Sequence, residues 1–227
     1  MKIGIQAVAL ASVQAQKQLD VVANNIANVN TPGFKKEVIH FQDFVSQSTS
    51  TRWDQGTIRQ TDNPLDIALV GEGFLKVQTE DGIRYTRAGN LTLSRDGTLV
   101  TQHGNPVLGK TGPIQIQSKN FRVEENGQVF DGTQTVGNLD LVRFDTDTTL
   151  IREKEGLLRP AKEDAAVLPA DKCSIRQSSL EGANFNLVEE MAGMVDSLRI
   201  FEAYQKAYKT GESDLDSQLI NKLSTNG

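Results

Sequence analysis

Apolar positions at Ile5, Val8, Ala15, Leu19, Val22, Ile26 and Val29 recur at alternating spacings of three and four, with Ser12 in the one gap. That spacing predicts a helix whose seam lies against another helix. The remaining positions are unusual for a solvated helix, because between Ile3 and Val29 only Lys17 and Asp20 are charged. A surface helix ordinarily carries charge opposite its apolar stripe. The pattern therefore predicts that several faces are covered by protein. The segment would span about 40 Å. It is expected to stop at Asn28 to Phe34, where Pro32 disfavours helix at Thr31 and Pro32-Gly33 suits a type II turn. The far end of the chain has a similar pattern. Leu187, Met191, Met194, Leu198, Phe201, Tyr208, Leu215 and Leu219 step by four and three, with Gln205 and Glu212 as polar members. Asn186 followed by Glu189 reads as a capping-box-like start.

Between the two helices the pattern changes. Lys35 to Val45 reads as a short helix or an extended arm, and the polar run Ser46 to Gln60, with lone Trp53, as a linker. From Leu65 onward, short β-rich runs alternate with turn signals at Asp81-Gly82, Asp96-Gly97 and Asn126-Gly127. Such dipeptides predict hairpins with type I′ turns. Ser174 to Leu180 reads as a last strand. The layout predicts an α+β fold. Long N- and C-terminal helices form a coiled-coil-like axial part, and an antiparallel β domain, sandwich or barrel-like, is inserted between them. The boundaries are 1–34 for the axial helix and turn, 35–64 for the connecting arm, 65–182 for the β domain and 183–227 for the C-terminal axial helix.

Composition narrows the chemistry. The formal net charge of −5 gives no basic surplus, so nucleic acid is not an expected partner. A lone Cys173 supports neither an internal disulfide framework nor a cysteine zinc site. No apolar run is long enough to cross a membrane as a helix, so no direct membrane insertion is expected. Lys2 followed by Ile3 to Ala15 imitates a short signal peptide. Gln6 and Gln14 interrupt it, and the heptad runs through any cut point, so the segment is read as retained. Gly104-Asn105-Pro106-Val107-Leu108-Gly109-Lys110-Thr111 matches G-x-x-x-x-G-K-[ST] in full. A phosphate loop needs a helix starting at the Lys-Thr pair, however, and Gly112-Pro113 and the alternation Ile114 to Gln117 follow instead. A Gly-rich β turn is the expectation, and nucleotide binding the remote alternative. His40 and His103 have no companion at ligand spacing. No catalytic residues, metal site or cofactor are expected, and the chain is not read as an enzyme.

Ala23 to Lys35 (ANNIANVNTPGFK), Leu65 to Phe74 (LDIALVGEGF), Tyr85 to Asn90 (YTRAGN), Glu189 to Met191 and Phe201 to Lys206 (FEAYQK) resemble, in this order, the bacterial flagellar rod, hook and hook-associated proteins. The compact length, Gly112-Pro113-Ile114 and Ser179 to Asn184 lean toward the proximal-rod members, with distal-rod members as the alternative. Phe185 departs from the family pattern, which has a small or β-branched residue there. The resemblance implies a structural subunit of the basal-body rod, stacked helically into a hollow shaft. The seam positions on the terminal helices would be the subunit interface. The implied partners are further copies, neighbouring rod proteins and the flagellar type III export apparatus, with export to the periplasm-spanning rod without signal cleavage. A heterologous contact repeated without closing gives such a filament.

Overall fold

The computed structural model describes residues 2–41, 47–117, 121–162 and 164–225, with side chains for 6–41, 48–117, 121–162, 164–211 and 213. The chain divides into two compact units. Unit 1 comprises 1–29, 36–52 and 185–227; unit 2 comprises 30–35 and 53–184. The chain thus passes between them four times.

Unit 1 contains helix α1 (Lys2–Ala27), a two-stranded antiparallel ribbon and helix α2 (Leu187–Thr225). In the ribbon Glu37–Phe41 pairs with Gln47–Thr51, Glu37 opposite Thr51 and Phe41 opposite Gln47. Of the region read as a helix or arm, Glu37–Phe41 is therefore a strand and 42–45 lie outside the described residues; the strand's partner comes from the stretch read as linker. Val38, Ile39 and Phe41 favour a pleated surface.

Unit 2 holds most of the apolar core. Its largest sheet is antiparallel, a six-stranded half-barrel in the order Leu150–Arg152, Leu158–Pro160, Gly82–Thr86, Phe74–Thr79, Leu141–Phe144, Val167–Pro169. Smaller sheets surround it, including Ile67–Val70 paired with Ser174–Gln177 and Ile58–Gln60 paired with Ser179–Glu181. Ile67, Leu69, Leu75, Val77, Leu91, Leu99, Val107, Ile114 and Val129 belong to one buried cluster. Phe74, Tyr85, Val142 and Leu158 form a second, with Phe144 and Leu150 packed on it.

The three Asp-Gly and Asn-Gly signals do mark turns, but not type I′ turns. Only the glycines have positive φ: Gly82 at 106°, Gly97 at 83° and Gly127 at 87°. In the second turn Gly97 N donates to Ser94 O at 3.0 Å and Ser94 N to Thr98 O at 2.9 Å; in the third, Gly127 N donates to Glu124 O at 3.0 Å and Glu124 N to Gln128 O at 2.9 Å. These two turns start one residue earlier than a type I′ turn would, and the glycine takes the left-handed position after an ordinary turn.

The expected fold class is overturned in one respect. The two helices flank a large antiparallel β domain, and no long coiled coil joins them. The side chains buried where α1 meets α2 explain why. They include Ser12, Ala15, Asn25, Glu190 and Ser197, which are small or polar, whereas Leu187, Met191 and Leu198 are 36, 54 and 42% exposed. A knobs-into-holes seam needs apolar knobs in successive holes, and buried Ser12, Asn25, Glu190 and Ser197 interrupt this contact with polar groups.

Candidate assembly site

Helix α1 ends in a run of asparagines. Asn28 closes the last turn, its N and Nδ2 both donating to Asn24 O at 3.3 and 2.9 Å. Asn25 is fully buried. Its carboxamide pairs with the main chain of Glu37 as a neighbouring strand would: Nδ2 donates to Glu37 O at 2.9 Å and Oδ1 accepts from Glu37 N at 3.0 Å. Nδ2 also donates to Glu190 Oε2 at 3.2 Å, and Lys36 Nζ pairs with the other oxygen of Glu190. One amide thus joins α1, the ribbon and α2. A buried polar cluster of this kind is tolerated because its groups are satisfied.

The predicted seam residues are placed unevenly. On α1, Ala15 is buried, and Val8, Leu19, Val22, Ile26 and Val29 are half-buried. On α2, Met194, Phe201 and Tyr208 are half-buried and turn with Glu190 and Ser197 toward the chain's own contact, while Leu187, Met191 and Leu198 are exposed. The side chains of Ile5, Leu215 and Leu219 lie outside the described ones. The polar members of the two seams meet, Gln205 Nε2 donating to Ser12 Oγ at 2.9 Å. A second stripe runs along α2 through Val188, Met191, Val195 and Leu198, which are 73, 54, 49 and 42% exposed.

In unit 2 the Pro32-Gly33 turn forms as expected. Gly33 has φ of 70°, and Phe34 N donates to Thr31 O at 3.2 Å. A Cβ on Gly33 would also stand 2.5 Å from the Arg87 carbonyl oxygen. Phe34 is buried beneath the Arg152 guanidinium, 4.3 Å above its ring. The Glu181 carboxylate is buried and accepts from Lys35 Nζ at 2.7 Å, Gly56 N at 2.8 Å and Arg87 Nε at 2.6 Å. Arg87 also donates to Gly73 O and Leu69 O, and Lys35 Nζ to Asp54 O. Burial alone would raise the Glu181 carboxyl, but Arg87 and Lys35 outweigh it and hold it below the usual carboxylate range. Burial lowers the Lys35 ammonium, and Glu181 offsets this only in part. No pattern in the sequence marks these residues as a cluster, since Glu181 is 146 positions from Lys35 and 94 from Arg87.

The remaining candidates for chemistry do not gather. Cys173 is buried, and burial pushes its thiol up, away from the reactive thiolate. Gly104 to Thr111 is β structure: Leu108–Gly109 pairs with Gly112–Pro113 around an exposed Lys110-Thr111 turn. No helix begins at Lys110, so the amide cradle of a phosphate loop is not built there.

Comparison with known proteins decides the family. Residues 9–35 match the model described as "Flagella basal body rod protein", residues 68–130 the "Flagellar hook protein FlgE/F/G D1 domain", and residues 176–222 the "Flagellar basal body rod FlgEFG protein C-terminal". The chain is 32% identical to the flagellar basal-body rod protein FlgG of Bacillus subtilis (strain 168), over 91% of this chain and 93% of that protein. It is 33% identical to the flagellar basal-body rod protein FlgF of Caulobacter vibrioides, over 84% and 86%. Identity to FlgF of Mesorhizobium japonicum is 30%, over 85% and 86%.

The chain belongs to the flagellar basal-body rod protein family. This is a family of structural rod subunits. Membership implies assembly with other flagellar rod and hook–basal-body proteins, within the basal body of the flagellum. The rod-protein matches fall on the features described above. The first covers most of α1, Asn25 and the Gly33 turn; the last runs from Arg176 through Glu181 along α2.

Proposed function

We propose that this rod subunit polymerises helically through its terminal helices into the hollow drive shaft. The observation that carries this reading is the outward stripe Val188, Met191, Val195 and Leu198, apolar and uncovered by the chain's own α1. Contiguous exposed apolar surface marks an interaction site. The charge-poor α1, with Leu10 and Val13 41 and 53% exposed, offers a second such face. The interface comprises these residues together with the seam positions on both helices. The partners are further copies and neighbouring rod proteins, and the chain reaches the rod through the flagellar type III export apparatus without losing its N-terminus. We place the subunit in the proximal rod, FlgF-like, with a FlgG-like distal position as the alternative. The compact length of 227 residues, Gly112-Pro113-Ile114 and Ser179 to Asn184 support this choice. The test is Met191→Asp and Val195→Asp, made separately in cells lacking the wild-type chain. Loss of rods and motility, with the soluble protein folded and exported, is the expected result. Motile cells with normal rods would refute the interface. Imaging of basal bodies carrying a labelled subunit distinguishes the proximal from the distal position.

A further inference from the structure

The four passages of the chain between the units fall at 29/30, 35/36, 52/53 and 184/185. On the unit 2 side, every passage leads within a few residues to one residue, Glu181. Gly33 N donates to the Glu181 backbone oxygen at 2.8 Å. Lys35 Nζ and Gly56 N reach Oε1, and Arg87 Nε reaches Oε2 from the sheet. The Asp54 carbonyl accepts from both Lys35 Nζ at 2.7 Å and Asn184 Nδ2 at 3.1 Å. Gly56 lies so close to the 182 main chain that an added Cβ would stand 2.1 Å from Gly182 O. The unit 1 side is organised in the same way. Asn25 and Lys36 gather on Glu190, Asn25 also holds the Glu37 main chain, and Arg52 N donates to Lys36 O at 2.9 Å. The adjacent lysines Lys35 and Lys36 are thus anchored in different units, each by a buried glutamate of its own unit.

We infer that Glu181 is the buried anchor shared by all four connections into unit 2, so that they hold or yield together. A load carried by any one passage is delivered to the same charge cluster, and Arg87 spreads it to the main chain at Gly73 and at Leu69 in the Ile67–Val70 strand. Ordinary loops would yield singly. Charge-assisted bonds in a buried site are the stronger kind, and losing one partner there exposes the full desolvation cost of the others. The inference rests on bonding within each unit and stands apart from the polymerisation reading.

The test is hydrogen exchange on the full-length protein, followed by mass spectrometry of peptides covering 30–35, 53–57 and 178–184. Glu181→Gln removes the charge and keeps the shape. Exchange in the three peptides should rise together, by about tenfold or more, the scale set by losing a charge-assisted bond. Leu91→Ala, a cavity in the main core that removes no bond to Glu181, serves as the control. It should speed exchange in the strands around Leu91 and leave the three anchor peptides no faster than the rest of unit 2. If Glu181→Gln fails to fold, Lys35→Met removes one donor and keeps the Arg87 pair. It should loosen 30–35 and 53–57 together, because Lys35 also holds the Asp54 carbonyl. Loosening of 30–35 alone in either variant, or the same concerted pattern in Leu91→Ala, would overturn the inference. Because exchange is read on the unassembled chain, failure here leaves the rod interface untouched, and failure of the interface leaves the anchor untouched.

Discussion

Replacing Asn25 by aspartate tests the reading of unit 1 with a nearly isosteric change. The side chain is fully buried, so the substitution alters chemistry at constant volume. Two donated bonds are lost, to Glu37 O at 2.9 Å and to Glu190 Oε2 at 3.2 Å. One neutral and one charge-assisted bond together amount to about 3 kcal/mol. The introduced carboxylate would then face that of Glu190. Two unit charges about 4 Å apart cost about 4 kcal/mol at an effective dielectric constant near 20, and Lys36 beside Glu190 offsets part of this. Asn25→Ala loses these two bonds and also the one that Oδ1 accepts from Glu37 N, which aspartate keeps, but adds no charge, so its cost is about 4 kcal/mol. The expected order of stability at neutral pH is wild type, then the alanine variant, then the aspartate variant. Acidification should narrow the gap between the two variants, because protonating the introduced carboxyl removes the repulsion and restores a donor. The assay is urea unfolding of the full-length chain followed by the helical circular dichroism signal, at pH 7 and pH 4. If Asn25→Asp equals or exceeds Asn25→Ala in stability at pH 7, the assigned contacts among Asn25, Glu37 and Glu190 are wrong.

Unit 2 should lose stability in acid. The Glu181 carboxyl is held low when folded, so the unfolded chain binds the proton first as pH falls, and stability present above the ordinary carboxylate range is lost below it. Urea midpoints between pH 7 and 3 should fall less steeply for Glu181→Gln than for wild type, and parallel curves would exclude Glu181 as a contributor. Gly109→Val should destabilise unit 2 by more than about 2 kcal/mol, whereas Lys110→Ala should stay within about 0.5 kcal/mol; thermal melts of the two proteins decide the order. The reason lies in space, since a Cβ on Gly109 would stand 2.6 Å from Asn138 O, while Lys110 is exposed. Limited trypsin digestion of the monomer should leave a fragment close to residues 53–184 and trim both helices. Helices that resist as well as that fragment would contradict assembly-dependent ordering.

What the sequence disclosed follows from what pattern can encode. Turn positions were legible at Asp81-Gly82, Asp96-Gly97 and Asn126-Gly127, because glycine's tolerance of positive φ is local. Their turn type was not, because the hydrogen bonds that set it begin a residue earlier. The α2 seam was half legible. Its heptad spacing fits both Leu187-Met191-Met194-Leu198 and Glu190-Met194-Ser197-Phe201, and apolarity alone selects the first. The chain's own contact uses the second, because Asn25 brings Glu190 inward and Lys36 balances its charge. Glu181 was not legible at all. A carboxylate in a strand reads as a solvated face until distant segments bring Lys35, Gly56 and Arg87 onto it.

The two stripes of α2 separate the energetics of folding from those of assembly. The stripe turned to α1 mixes half-buried Met194, Phe201 and Tyr208 with polar groups: Ser197 Oγ bonds back to Gly193 O at 2.7 Å, and Gln205 bonds Ser12. The polar contacts contribute little net stability, about 1 kcal/mol per neutral bond. The outward stripe is apolar throughout and exposed. Burying Val188, Met191, Val195 and Leu198 from their present exposure would contribute roughly 1 kcal/mol each, about 4 kcal/mol per copy along this one line. On the proposed assembly this part of the helix stabilisation is released only when a neighbour arrives, while the Gln205–Ser12 and Asn25–Glu190 pairs have already fixed how α1 and α2 meet. A chain with polar residues at those four outward positions would keep its helix pair and have little reason to join a shaft.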